Sequence, residues 1–143
     1  MTYSIFLKPK FIIFIIILYP LLFIWQGLDF ADAGYSMTIY QQVFNEPESI
    51  SYNFVTWLTN IIGGFWFFFF GDSLGLLGAN FAGVLITYLS ILISYIILRS
   101  YIDYKHLLIG LLFALMLNKW FPFIYYNNLT SLFFVASAFF LYS

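Results

Sequence analysis

The chain has 143 residues, of which 64% are hydrophobic, 25% aromatic and only 8% charged, with a net charge of -1. A soluble globular domain carries roughly 25% charged residues, so this composition argues strongly against a water-soluble fold. The 5 scattered basic residues make no patch for nucleic acid, and the absence of cysteine removes disulfides and thiolate metal sites.

A helical crossing of the hydrocarbon core needs about 20 apolar residues, so the length admits roughly three to five crossings with their loops. Strands of a transmembrane barrel alternate apolar and polar positions over about 10 residues, whereas Phe11 to Leu18 is apolar on every face. The expected architecture is therefore all-α, a polytopic helical membrane protein forming a single domain over 1–143. About four transmembrane helices are predicted near 11–27, 74–98, 106–121 and 129–143, with an outer loop 28–73 carrying one or two membrane-surface helices.

The first apolar run, Phe11 to Gly27, follows Lys8-Pro9-Lys10. It exceeds the roughly 7–15 residues of a signal core, and bulky Trp25-Gln26-Gly27 offers no small-x-small cleavage site. An uncleaved span is predicted, bent by Pro20 and anchored at headgroup level by Trp25. At its outer end Leu28-Asp29-Phe30-Ala31-Asp32-Ala33-Gly34-Tyr35 brings in two carboxylates three positions apart.

Ala33, Met37, Tyr40 and Phe44 then recur at spacings of 4, 3 and 4, the pattern of an amphipathic helix on the membrane surface. Asp32 stands where a side-chain oxygen would cap its first turn, and Pro47 between Glu46 and Glu48 ends it. From Ser49 to Phe70 the chain is apolar again, with polar or small residues at Asn53, Thr56, Asn60 and Gly63. Basic residues favour the cytoplasmic side. Arg99 and Lys105, beyond the span ending at Leu98, share that side with Lys8 and Lys10 only if 49–70 lies at the interface or re-enters rather than crossing. Asp29, Asp32, Glu46, Glu48 and Asp72 then face outward.

Gly71, Gly75, Gly78, Ala79 and Gly83 are small residues spaced for close helix approach. His106 beside Lys105 reads as an interfacial polar residue with no chemistry. Asn118-Lys119-Trp120 returns the chain to the outer face, where Asn128-Leu129-Thr130 matches a glycosylation sequon. The run 129–143 would make about 22 Å of helix against about 30 Å of hydrocarbon. That shortfall predicts that the apolar pattern continues in further membrane segments or in a second subunit.

An outward carboxylate just after a first span suits an enzyme whose donor is a lipid phosphate. The polyprenyl tail stays in the bilayer while the phosphate and sugar lie at the surface, within reach of the carboxylate. Such a group serves as general base or holds a divalent cation. Without further information the same acids read as a helix cap at Asp32 and an exit from the bilayer at Asp29.

The order of basic start, first span, Asp32-Ala33-Gly34-Tyr35, surface helix, Gly71-Asp72-Ser73 and a long span ending Ile97-Leu98-Arg99 resembles the amino-terminal part of GT-C-type membrane glycosyltransferases, which include protein mannosyltransferases and aminoarabinose transferases. Tyr125-Tyr126-Asn127-Asn128-Leu129-Thr130-Ser131-Leu132-Phe133-Phe134 is similar to the start of that family's fourth span. The resemblance implies Asp32 as the catalytic residue, with Asp29 and Tyr35 beside it in substrate binding and a polyprenyl-phosphate sugar donor as partner at a bacterial plasma membrane. Ala33 stands where one version of the motif has Glu, which leaves a metal ligand set undefined. The expected function is transfer of a sugar to a hydroxyl at the outer face, by an amino-terminal portion of such an enzyme. The alternative is a small noncatalytic membrane protein packing against a partner through its Gly-rich helix. A transporter is less favoured, because the long spans carry no ionisable residue of the kind that marks an ion pathway.

Overall fold

The computed structural model describes residues 8–27, 32–50, 56–117 and 123–142, which form α-helices and one 3₁₀ turn, with no strand among the described residues. Helix α1 (Pro9–Leu21) begins with proline at a position whose missing N–H would have had no intrahelical partner. Pro20 sits next to its end, and the chain coils on through turns in which Leu22 N–H reaches Leu18 O and Gln26 N–H reaches Phe23 O. The bend expected at Pro20 is thus a change from regular helix to loose turns, and beyond it Trp25 is 81% exposed.

Helix α2 (Asp32–Gln42) buries Ala33, Ile39 and Tyr40. The anticipated stripe was Ala33, Met37, Tyr40 and Phe44; Ile39 and Val43 join its buried side, whereas Phe44 remains 44% exposed. A 3₁₀ turn (Pro47–Ile50) follows, consistent with a proline that stops the helix. Asn53, in the next few residues, lies outside the described residues.

Helix α3 (Trp57–Leu98) is 42 residues long, where a surface segment to Phe70 and a separate span from Leu74 were expected. Straight, it would measure about 63 Å, but Gly75 interrupts it with φ 49° and ψ -132°. The halves fold toward one another across a groove flanked by Ile62 and Trp66 on the first and Ala82 and Ile86 on the second. The polar stripe of the first half faces inward: Asn60 is buried and donates to Thr56 Oγ1 at 3.2 Å, and Gly63 lies against the Tyr40 ring.

Helices α4 (Tyr104–Leu117) and α5 (Tyr126–Tyr142) complete the chain, and the Asn128 sequon falls in the first turn of α5 rather than in a loop. The 13, 14 and 17 residues of α1, α4 and α5 give only about 20, 21 and 26 Å of regular helix. Among the described residues α3 is the one helix long and apolar enough to cross a membrane by length and composition.

Two packed clusters hold these elements. One joins α2 and α3 to the segment before α5 through Tyr40, Phe67, Ala79, Phe123, Ile124 and Leu129. The other joins Ile12 and Ile16 of α1 to Leu107, Leu108, Leu111 and Leu115 of α4, with Tyr95 and Leu98 of α3 against them. Two polar ties set the direction of α1. Asn80 Nδ2 donates to the carbonyls of Ile24 at 2.8 Å and Gln26 at 3.0 Å, and the Tyr88 hydroxyl donates to the Ile17 carbonyl. Helix α1 therefore runs antiparallel to the second half of α3, which brings Lys8 and Lys10 to the end of the molecule that carries Arg99 and Lys105.

At that end Asp103 caps α4, its Oδ2 accepting from the Lys105 backbone N–H at 3.2 Å and standing 3.2 Å from His106 Nδ1. The Lys105 backbone bond holds the Asp103 carboxyl below the usual aspartate range against the opposing effect of desolvation, and His106 lowers it further. His106 is an exposed partner of this cap, consistent with its assignment as an interfacial polar residue.

Candidate functional site

Asp32 is the first described residue of α2, and its carboxylate lies in the first turn. Negative charge is favoured there, where unpaired backbone N–H groups and the helix dipole point outward. The side chain is exposed, and Tyr35, one turn further on, is 47% exposed. Asp29, the other acid of the turn, lies outside the described residues, as do Asn118, Lys119 and Trp120 of the later outer loop.

What holds Asp32 in place is the far half of its helix. Gly63 and Gly64 on α3 let α2 approach closely: a Cβ at Gly63 would come to 2.6 Å from the Tyr40 ring, and one at Gly64 would collide with Val43. Tyr40 then stacks on Phe123 with ring centroids 5.9 Å apart and donates its hydroxyl to Ile124 O at 3.0 Å. One residue thereby fastens α2 to α3 and to the segment before α5.

Alongside this seam lies a cavity of about 390 Å³. Its floor is Tyr40, Gly64, Phe67 and Gly71, and its rim is Gln41, Phe44, Asn45, Phe68 and Asp72. Asp32 and Tyr35 are not among the lining residues; Gln41 is nine residues beyond Asp32, about 14 Å along the helix axis. The acid that does line the cavity is Asp72, which from sequence reads as a polar break before a helix and is instead inside α3, three residues before Gly75. The sequence did carry a signal for this surface, since Gln41 at the end of α2 and Asn45 in the turn after it are four apart, the spacing of neighbours on one helical face.

Among the described residues no three His, Asp or Glu side chains stand close enough to hold a metal ion together. Of the small-residue stripe Gly71, Gly75, Gly78, Ala79 and Gly83, the later part packs within the chain, whereas Gly75 has open space beside it. Gly78, Ala79, Ala82 and Gly83 are buried, and a Cβ on Gly78 would lie 2.5 Å from Leu74 Cβ and 3.5 Å from Trp66 Nε1. No family model, curated protein or solved structure matches the chain.

Proposed function

We propose that the chain is the donor-side portion of a membrane glycosyltransferase that moves a sugar from a polyprenyl phosphate to a hydroxyl acceptor at the outer face of a bacterial plasma membrane. The observation that carries this is the placement of Asp32: exposed, in the first turn of a helix clamped against the bundle, and eleven residues beyond the end of an apolar helix whose start lies toward the end of the molecule that carries Arg99 and Lys105. In this arrangement α1 with its following turns, the long second half of α3, α4 and α5 cross the bilayer, with the amino terminus in the cytoplasm. Apolar side chains cover the outward surface of all four, among them Ile17 at 52%, Leu92 at 53%, Phe113 at 62% and Phe134 at 76% exposure. Such a surface is stable against lipid and not against water.

Asp32 acts as general base. Its carboxylate takes the proton of the acceptor hydroxyl as that oxygen attacks the anomeric carbon of the donor sugar, and the polyprenyl phosphate departs with the electrons of the broken bond. Asp29 and Tyr35 flank the substrate. With the protein reconstituted in lipid and given a polyprenyl-phosphate sugar, Asp32→Asn should lower transfer by about 10²–10⁴-fold while leaving membrane insertion intact. Undiminished turnover in that variant would remove Asp32 from the mechanism.

A further inference from the structure

We propose that the cavity between α2 and the first half of α3 binds the ring of a neutral sugar. Its volume of about 390 Å³ falls within the roughly 300–1,000 Å³ of small-molecule sites. The character of the rim selects the ligand. Gln41 and Asn45 present carboxamides that both donate and accept, and Asp72 presents a carboxylate that accepts from hydroxyls. Asn45 is steadied by its own bond to the Gln41 backbone carbonyl at 3.2 Å. Beside these polar groups stand Phe44 and Phe68, 44% and 72% exposed, their rings edge-to-face at 6.3 Å. Hydroxyl partners next to exposed aromatic faces match a sugar ring, which is polar at its edge and apolar across its C–H face.

The same rim excludes other occupants. Among the described residues that line the cavity the one charged group is Asp72, which disfavours a phosphate there by repulsion. A primary amine would pair with Asp72 but would leave the carboxamide N–H donors of Gln41 and Asn45 without an acceptor, whereas a sugar hydroxyl both donates and accepts. The Tyr40 hydroxyl proton is already donated to Ile124 O and is not available to a ligand. The cavity therefore takes a hydroxyl-rich, uncharged group, and this assignment concerns binding, independent of the chemistry at Asp32.

The test is saturation-transfer NMR on the full chain in phospholipid nanodiscs, with methyl glucoside, methyl galactoside and methyl mannoside as probes and empty nanodiscs as control. At least one probe should bind saturably with an affinity on the order of 1 mM, weakened about tenfold in Gln41→Leu and in Phe68→Ala. Both residues are exposed on the rim, and thermal unfolding of each variant verifies that the fold is retained. Absence of transfer to all three glycosides, or equal binding by wild type and both variants, would overturn the assignment. So would binding of ethanolamine in place of the glycosides, lost in Asp72→Asn. Because the readout is binding, a failure here is distinct from a failure of Asp32 in the transfer assay.

Discussion

The Tyr40 hydroxyl reaches Ile124 O, 84 positions along the chain, from a side chain only 2% exposed. Burial pushes its pKa well above that of an ordinary tyrosine, outweighing the hydrogen bond to Ser36 that lowers it, so the phenol remains a donor throughout the working pH range. Tyr40→Phe keeps the ring packed on Phe67 and Phe123 but leaves a buried carbonyl unpaired, which costs about 1–3 kcal/mol. Thermal unfolding of the purified variant should show the loss, while secondary structure by circular dichroism stays the same. In the sequence Tyr40 was visible as one member of an apolar stripe. Its hydroxyl was not, because the acceptor sits on a distant segment that no local periodicity identifies. Asp32 and Asp72 differ in the same way. The first is marked by its place after an apolar run, whereas the second acquires its surroundings only when α2 packs alongside α3.

Glycines 75 and 110 show how backbone conformation, rather than space, sets the cost of a side chain. Neither would bring a Cβ within 4 Å of another group. Gly75 has φ 49°, however, whereas Gly110 lies within regular α4. Gly75→Ala should therefore destabilise the protein by about 1–3 kcal/mol through backbone strain, and Gly110→Ala should be neutral or stabilising by up to about 1 kcal/mol. Paired thermal melts in the same detergent check both; equal effects would mean that the break at Gly75 is not required by the fold. The helical content of α1, α2 and α3 was legible from apolar runs and spacing. The break was not, because Gly71, Gly75 and Gly78 look alike in sequence and only Gly75 takes positive φ.

At the scale of the whole molecule, the basic residues carried the most reliable information. Lys8, Lys10, Arg99 and Lys105 were expected on one side from charge alone, and the antiparallel pairing of α1 with α3 brings their elements to one end. The number of crossings was less legible, because α1, α4 and α5 fall short of a full span as regular helices and their ends depend on turns. The proposed topology makes a specific prediction: fluorescent protein fused after Tyr101 should mature in the cytoplasm, and alkaline phosphatase fused after Glu46 should be active outside. Active phosphatase after Tyr101 would reverse the orientation of the second half of α3.

The two bonds of Asn80 also bear on how the protein is made. The carbonyls of Ile24 and Gln26 belong to the loosened end of α1, yet their donor is 56 and 54 residues further along the chain. At roughly 5–20 residues per second of synthesis, that side chain emerges about 3–11 s later. Until then those carbonyls at the end of the first helix lack the Asn80 donor and are left to water. Its final seating waits for α3, so on the proposed topology the two helices complete their insertion as a pair rather than in sequence.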